Sequence, residues 1–376
     1  MWLVATRHGP FSDASVGDLY VYGSYKDLMV HGLVPYRAFD FEYPPGALIP
    51  IRLAGGDDVS LSLLMLGCAL VTQLATWAAG GPVAGWSMAA LPILAGALVR
   101  THFDLFPTAL ALVGLALILA RTRHGAVELG FVVLALATMT KLWPAALAAV
   151  AFCWLLGRRE RRVALRAGAV FVLFVLAAGI PFAALGGFPS KMVDFHLDRP
   201  VQIESTAASV LEIIGGSSVT GDPVRHDRFK SNGLDGGAAD AVAALSTLAL
   251  LISAALILRL AARRPTRDGL VLAALSITLA FVVWSKVLSP QYVVWLLPLA
   301  AVAAGHGYRL APALVAAASL TTQLWFPANY FDVVDQHAWA VVAVGVRNAL
   351  LLAALVATVR ALARSPLRAA AAPHTG

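Results

Sequence analysis

The chain has 376 residues, of which 59% are apolar and only 13% are charged, and its mean hydropathy is +0.77. Soluble domains carry about 25% charged residues, so this composition excludes an ordinary soluble enzyme. The formal charge of +7 does not indicate a nucleic-acid-binding protein, because the basic residues form no single patch and lie in short loops. We therefore predict an all-α, polytopic transmembrane helical bundle.

Residues 17–46 read GDLYVYGSYKDLMVHGLVPYRAFDFEYPPG and precede the first membrane-length segment. One set of side chains in this stretch has the spacing of a helix face: Asp18, Tyr22, Tyr25 and Met29. This spacing predicts a short surface helix along the outer membrane interface, which Gly32 ends. The YPPG sequence at 43–46 then predicts a rigid turn. The pattern alone fits a tyrosine-rich interfacial helix without a functional role equally well.

Asp40 and Glu42, in the sequence FDFE, have the acid-x-acid pattern of a divalent-metal site in nucleotide-sugar transferases. Two carboxylates one residue apart in an extended segment point the same way and could hold Mg²⁺ or Mn²⁺. No nucleotide-binding fold accompanies them, so we favour a role in ordering the loop or binding acceptor hydroxyls. We expect no metal and no cofactor.

Apolar segments approaching 20 residues predict the membrane helices. Polar breaks divide the chain into eleven such segments, several of them too short to cross an undistorted bilayer at right angles. They are 59–79, 83–99, 104–120, 126–140, 143–157, 164–186, 241–261, 269–286, 290–304, 309–326 and 338–361. The resulting regions are a first outer loop at 1–58, a first bundle at 59–186, a large outer loop at 187–240, a second bundle at 241–363 and a cytoplasmic tail at 364–376.

The basic loops fall on one side if these segments alternate. They contain Arg121, Arg123, the RRERR run at 158–162, Arg166, Arg259, Arg263, Arg264, Arg267, Arg309, Arg360, Arg364 and Arg368. By the positive-inside rule this side is the cytoplasm, which places 1–58, 187–240 and 327–337 outside. Eleven crossings with an outer N-terminus are awkward for insertion, and MWLVA is too short to be a span or signal peptide. We therefore expect a further transmembrane helix upstream of residue 1.

Three polar interruptions fall at the outer level of this topology. They are Arg100, His102 and Asp104 in VRTHFDLFP, Lys141 and Pro144 in MTKLWP, and Lys286, Ser289, Gln291 and Tyr292 in WSKVLSPQYVVWLLP. A lysine deep in a membrane helix costs about 2.5–3.5 kcal/mol, and less near the interface. Snorkelling at a helix end explains either lysine alone. Two such lysines beside tryptophan and proline, both facing outward against the positive-inside bias, together favour a binding role.

The large outer loop begins GFPSKMVDFHLDRPVQIES. It crowds together several polar side chains: Lys191, His196, Arg199, Gln202 and Glu204. In a helix, His196 and Arg199 share a face. The planar fork of arginine suits phosphate, and histidine can donate to an oxyanion or relay a proton. The alternative is a solvated loop in which Arg199 pairs with Asp194 or Asp198.

Other features predict no chemistry. Cys68 and Cys153 lie within apolar spans, where they pack as small hydrophobic side chains, and no disulfide or zinc spacing is present. The sequence has no phosphate-binding glycine loop, no zinc-protease motif and no repeat of 20–50 residues. The Gly-rich stretch at 215–240 is predicted to be a mobile part of the large outer loop.

One outer face thus collects a carboxylate-bearing aromatic helix, several positively charged side chains and a histidine. This combination suits an anionic lipid phosphate at headgroup depth and a polar acceptor that arrives from outside. A carboxylate that deprotonates a sugar hydroxyl contributes a rate factor of about 10² to 10⁴. Fixed positive charges stabilise the negative charge that develops on a departing phosphate.

The motifs GDLYVY, FDFEYPPG, MTKLWP, FHLDRPVQIES and KVLSPQYVVWLLP resemble those of actinobacterial membrane glycosyltransferases. These belong to the GT-C superfamily, in particular family 87, the polyprenyl-phosphate-mannose-dependent α-mannosyltransferases. The resemblance covers roughly residues 17–300. It implies a polytopic helical fold with a catalytic aspartate on the first outer loop, and an inverting, usually metal-independent transfer from a lipid-phosphate sugar. A transmembrane helix precedes the aspartate in such enzymes.

The resemblance also implies roles for individual residues. Asp18 takes the position of the general base, and His196, Arg199, Lys141 and Lys286 are candidates to bind the donor phosphate. The other candidates are assigned to the donor and acceptor pocket: Tyr22, Tyr25, Asp40, Glu42, Tyr43, Asp104, Gln202, Glu204, Gln291 and Tyr292.

The expected partners are a polyprenyl-phosphate sugar, a glycolipid or glycan acceptor and membrane lipids, with no nucleic acid. The expected location is the plasma membrane, with the active site on the extracytoplasmic side. A polytopic transporter or lipid flippase is the main alternative. Transporters commonly show paired halves and ionisable groups near the bilayer midplane, whereas this chain shows no evident pairing and its polar groups collect at span ends. A catalytically silent membrane partner of another enzyme is the third hypothesis.

Overall fold

The computed structural model describes residues 2–121, 125–215, 224–226 and 228–366, and these parts of the chain are mostly helical, with almost no strand. The all-α fold is thus as predicted, and several apolar helices indicate a membrane protein. Among the described residues, five helices are long and apolar enough to cross a membrane, and several others are shorter. The total of eleven crossings stays a prediction.

The helices of the first half are α1 Trp2–His8, α2 Leu19–Val30, α3 Leu48–Ala54, α4 Asp58–Ala89, α5 Leu91–Ala95, α6 Leu98–Thr101, α7 Leu105–Ala120, α8 Ala126–Thr138, α9 Pro144–Gly157 and α10 Arg161–Leu185. The elements between the halves are α11 Ser190–Asp198, β1 Val201–Gln202, α12 Thr206–Gly215, β2 Val224–His226 and β3 Ser231–Leu234. The second half has α13 Gly237–Arg263, α14 Arg267–Trp284, α15 Val293–Gly305, α16 Leu310–Trp325, α17 Tyr330–Val334 and α18 Ala338–Arg364.

The predicted spans 59–79 and 83–99 meet at a break inside α4. Gly81 adopts a φ of 76°, and Pro82 follows it. The rings of Trp77 and Trp86, on opposite sides of the break, are 6.1 Å apart, so the chain doubles back there. The return segment is not one helix, as predicted, but the end of α4 followed by α5 and α6. Gly96, with a φ of 54°, separates these last two helices.

The centre of the bundle is formed by α7, α14 and α15, whose side chains are nearly all buried. Helices of the two predicted bundles pack directly on each other, as α4 does on α15 and α9 on α13. By contrast, α10 and α13 expose most of their leucine, isoleucine and valine side chains. Such an apolar outer surface is stable in contact with lipid rather than water.

One end of the bundle gathers loops that were predicted to be cytoplasmic. Glu160 accepts hydrogen bonds from Arg121 and Arg158. Arg158 also donates to the carbonyl of Pro265, which links two of these loops. Arg264 donates to the carbonyl of Ser365 and adds the C-terminal end of α18. Two of the arginines counted for this side, at positions 123 and 368, lie outside the described residues.

The opposite end carries a small antiparallel sheet with strand order β1, β3, β2. Val201 pairs with Leu234, and Gln202 pairs with Gly233. A Cβ atom at Gly233 would lie 2.6 Å from the ring of Pro200, so only glycine lets the two strands approach this closely. The prediction that all of 215–240 is mobile loop is therefore wrong for β3, which is paired on both sides. Residues 216–223 and 227 lie outside the described residues.

Cys68 is buried and Cys153 is partly buried, and both are free thiols. Both lie within apolar helices, as predicted.

Candidate active site

The predicted helix face at Asp18 is present in α2. Asp18 is the N-cap residue, but its carboxylate makes no capping hydrogen bond and instead accepts one from the Tyr22 hydroxyl at 3.1 Å. Tyr22 and Tyr25 are buried inside the protein, so the interpretation of α2 as a helix with its tyrosines in the membrane interface is wrong for these two residues. Gly32, with a φ of 80°, follows the end of the helix as predicted.

A cavity of about 740 Å³ lies at the end of the bundle opposite the arginine-rich loops. Most of the predicted site residues line it: Asp18, Glu42, Tyr43, Lys141, His196, Arg199, Gln202, Glu204, Lys286, Gln291 and Tyr292. Four predicted residues are not part of its lining. Tyr22, Tyr25 and Asp104 are buried in the protein, and Asp40 lies at the surface.

The YPPG turn brings Glu42 to the cavity. Pro44 is extended, and the 3-10 turn Pro45–Ala47 follows it. The Gly46 amide donates to the carbonyl of Met139 at 2.6 Å, and a Cβ atom at this position would lie 2.5 Å from that oxygen. A side chain at residue 46 would therefore push this loop away from the end of α8.

Glu42 joins two of the predicted phosphate-binding residues. An Nη atom of Arg199 lies 3.7 Å from its carboxylate, and the Nε2 atom of His196 bonds its carbonyl oxygen at 2.9 Å. Burial raises the pKa of Glu42, and Arg199 partly offsets this. Arg199 thus pairs with Glu42, not with Asp194 or Asp198 as the solvated-loop alternative required. Helix α11 ends at Asp198, so Arg199 follows the helix rather than lying on it.

The geometry restricts what His196 can do. A carbonyl oxygen only accepts, so Nε2 must carry a hydrogen, and the Nδ1 atom of a neutral ring then offers only a lone pair. Burial lowers the pKa of His196, so the ring is neutral near pH 7. A neutral His196 accepts a hydrogen bond from a sugar hydroxyl more readily than it donates one to a phosphate.

Lys141 is held in an aromatic cage rather than left free. Its Nζ atom lies 2.6 Å from a carboxylate oxygen of Asp104, which also accepts a 2.6 Å hydrogen bond from the indole of Trp295. The rings of Tyr43, Phe103, Tyr292 and Trp295 surround the ammonium at 5.2–5.8 Å. Asp104 is fully buried, and its other oxygen has no hydrogen-bond partner. Lys141 therefore contributes less net positive charge to the cavity than its sequence position predicts.

Stacked aromatic rings form one wall of the cavity. Trp143 and Trp295 stack with centroids 5.3 Å apart, and Tyr292 stacks on Trp295 at 3.9 Å. Flat apolar faces beside hydrogen-bonding groups suit a sugar ring, whose C–H and O–H groups need both.

Glu204 lies deep on the side of the cavity nearest α18. The side chains of Arg347 and Asn348 donate to its backbone carbonyl at 2.7 and 3.2 Å. Burial raises the pKa of the Glu204 carboxyl to about 7, and one of its oxygens has no hydrogen-bond partner. Nearby, Ser289 donates to the Gln202 side chain at 3.2 Å.

Asp40 and Glu42 do not form the acid pair of a metal site. Asp40 accepts a 2.9 Å hydrogen bond from Arg228, which also bonds Asp198 at 2.9 Å. Glu42 faces Arg199 in the cavity instead. Within the described parts of the chain, no group of three or more acidic, histidine or cysteine side chains is placed to hold a metal ion.

The rim of the cavity is apolar on the side formed by α11. Leu142, Val193 and Leu197 line the cavity and remain 44%, 43% and 70% exposed. Exposed apolar side chains next to a cavity lined by positively charged groups suit a ligand with a lipid tail.

The structure also places Lys230 in the cavity wall, a position that the sequence alone does not single out because this residue lies in the Gly-rich stretch. Its ammonium lies 4.2 Å from the ring centre of Tyr25. Burial lowers the pKa of Lys230, and the carboxylates of Glu42 and Asp18 oppose the shift. The neighbouring strand β3 adds Ser231 and Asn232 to the lining. The available signal was the basic RHDRFK run at 225–230 within the glycine-rich segment.

For the anionic donor that the motif resemblance implies, substitution of Lys230 with methionine is expected to raise the apparent KM about tenfold, because one charge-assisted contact is lost from a partly buried site. The measurement is initial transfer rate against donor concentration in purified protein. Lys191→Met is the matched control, because Lys191 lies on α11 with an exposed side chain. Equal KM values for the two variants would exclude Lys230 from donor binding.

No protein-family model matches the chain, and no curated protein matches it.

Proposed function

We propose that the chain is an integral membrane glycosyltransferase that moves a sugar from a polyprenyl-phosphate donor to a lipid-linked or polysaccharide acceptor. Mannose is the expected sugar. One observation carries the proposal: the Asp18 carboxylate lines the same cavity as Arg199, Lys230 and Lys286. A single pocket therefore holds a base and several groups for an anion, which are the two requirements of transfer from a sugar phosphate.

The proposed reaction uses these groups in distinct roles. Asp18 removes the proton from the acceptor hydroxyl as its oxygen attacks the anomeric carbon. The bond between that carbon and the phosphate oxygen breaks, and the electron pair leaves with the polyprenyl phosphate. Arg199, Lys230 and Lys286 stabilise the charge that develops on this leaving group. Attack on the face opposite the phosphate inverts the anomeric configuration.

The apolar parts of the cavity support a lipid-linked donor. The stacked rings of Trp143, Tyr292 and Trp295 suit the sugar, and the exposed apolar rim of Leu142, Val193 and Leu197 suits the first isoprene units. A nucleotide-sugar donor would not require this rim.

The proposal includes eleven membrane crossings in this chain, a plasma-membrane location and an active site on the extracytoplasmic side. The clustering of Arg121, Arg158 and Arg264 at the end of the bundle away from the cavity supports this orientation through the positive-inside rule. A transporter or flippase is the competing function. Its ionisable groups would be expected near the bilayer midplane, whereas these line a cavity at one end.

The test is sugar transfer by the purified protein in nanodiscs, with labelled polyprenyl-phosphate mannose or labelled nucleotide-mannose as the donor and a membrane glycolipid extract as the acceptor. We expect label in the acceptor from the lipid donor only. Polyprenyl-phosphate glucose and arabinose serve as further donors. No transfer from any lipid donor, together with label that crosses the bilayer of proteoliposomes, would support the transporter instead.

A further inference from the structure

Asp18 is paired with a histidine on the cavity wall. The Nε2 atom of His102 lies 3.7 Å from Oδ2 of Asp18, and the ring is 2% exposed. The hydroxyl of Tyr22 donates to the same oxygen at 3.1 Å. Across the described ranges no hydrogen bond reaches Oδ1, which leaves this oxygen for a substrate hydroxyl.

One neighbouring hydroxyl indicates the tautomer of His102. The hydroxyl of Thr101 donates its only hydrogen to the carbonyl of Ala97 at 3.0 Å. The same hydroxyl oxygen lies 2.9 Å from Nδ1 of His102; with its hydrogen on Ala97 it accepts there, and Nδ1 carries the hydrogen of this contact. The lone pair of a neutral ring is therefore on Nε2, which faces Asp18.

This arrangement favours a proton between the two groups. With both deprotonated, a lone pair of the buried ring faces a carboxylate oxygen, which is unfavourable. A proton placed between them relieves the repulsion. The other titratable or charged side chains around His102 and its helix are Tyr22, Tyr43, Tyr292, the Asp104–Lys141 pair and the cluster of Asp58 with Arg7 and Arg100. The Asp104–Lys141 pair is internally compensated, whereas the Asp58 cluster carries one net positive charge.

We propose that the Asp18–His102 dyad, and not Asp18 alone, is the base of the reaction, with His102 as a positioning residue that accepts the proton through Asp18. This inference rests on the proposed function. As the acceptor oxygen bonds to the anomeric carbon and the phosphate leaves with its electron pair, the hydroxyl proton passes to the Asp18 carboxylate. Rotation of the carboxyl about Cβ–Cγ brings the proton to Nε2. The ring becomes an imidazolium beside the regenerated carboxylate, and the proton returns through Asp18 to water once product leaves.

The pH dependence of kcat tests the dyad. In His102→Gln, the side-chain amide donates to Asp18 and stabilises the carboxylate, so the acid limb of the pH profile is expected to move to lower pH. The rate at pH 7 is expected to fall about 10- to 100-fold. Thr101→Val removes the hydroxyl that selects this tautomer of His102 and should lower the rate. Thr101→Ser keeps the hydroxyl and should retain the rate of the parent. If the pH profile of kcat for His102→Gln were lower at every pH but had an unchanged midpoint, the proposal would be overturned. An unchanged rate would overturn it as well.

A measurement without transfer separates this inference from the proposed function. Nitrogen-15 NMR of histidine-labelled protein in detergent micelles reads the hydrogen on each ring nitrogen, with His102→Gln used for assignment. We expect Nδ1 to be protonated throughout, and Asp18→Asn to lower the pH at which Nε2 gains a hydrogen. A neutral His102 with its hydrogen on Nε2, or a titration unaffected by Asp18→Asn, would overturn the dyad even if transfer is observed. The expected titration without any transfer would leave the dyad intact and reject the glycosyltransferase.

Discussion

Asp18→Asn is expected to lower sugar transfer by about 10² to 10⁴, the usual contribution of a general base, with little change in protein stability. The amide has the shape of the carboxylate, and its oxygen still accepts the hydrogen bond from the Tyr22 hydroxyl. It has no basic oxygen with which to remove the acceptor proton. The readout is transfer from labelled polyprenyl-phosphate mannose at saturating donor, beside the thermal unfolding midpoint in the same detergent.

Asp27→Asn is the matched control for this variant. Asp27 lies on the same helix, α2, with an exposed side chain, so its substitution removes one negative charge without touching the cavity. We expect parent-level transfer from the control. If Asp18→Asn also retained parent-level transfer, the carboxylate would not be the base, and the role that the motif resemblance implies for it would be wrong.

The helical fold and most of the cavity lining were predictable because both depend on local patterns. Apolar runs of membrane length gave the positions of α10, α13 and α18 to within a few residues. The helical spacing of Asp18, Tyr22, Tyr25 and Met29, which are four, three and four residues apart, predicted that Asp18 and Tyr22 lie on one side of α2. The hydrogen bond between these two side chains follows from that spacing. The polar interruptions at Lys141 and Lys286 lie at helix ends that border the cavity.

The pairing of charges was not predictable, because it depends on contacts between distant parts of the chain. Lys141 and Asp104 are 37 residues apart, and neither position indicates that the other compensates it. Which ring nitrogen of His196 carries the hydrogen depends on the hydrogen bond to the backbone carbonyl of Glu42, and no sequence motif indicates that contact. Lys230 was missed for the same reason, since it directly precedes strand β3, and the pairing of β3 with Val201–Gln202 is a contact between distant parts of the chain. The return segment after Gly81 was predicted as one helix because its composition is apolar throughout, whereas Gly96 breaks it.

Lys141→Met is expected to destabilise the protein by about 3–5 kcal/mol, because it leaves the buried Asp104 carboxylate without its partner. The double variant Asp104→Asn/Lys141→Met is expected to recover most of this loss. The asparagine oxygen still accepts the indole hydrogen of Trp295, and the methionine fills the aromatic cage without a charge. The measurement is a double-mutant cycle of unfolding free energies in mild detergent, with Lys191→Met as the exposed control. A double variant no more stable than Lys141→Met would contradict the compensation.

The same double variant decides what Lys141 does in the reaction. Because Asp104 neutralises most of its charge, we expect the ion pair to act mainly by holding Trp295 in the aromatic wall, so transfer should return to within about tenfold of the parent once stability is restored. Direct binding of the donor phosphate by the ammonium makes the opposite prediction. The double variant would then fold normally and still show a raised KM for the donor, as Lys230→Met is expected to do. Parent and variants compared at a temperature well below each unfolding midpoint separate the two roles, because a stability defect no longer contributes to the rate there.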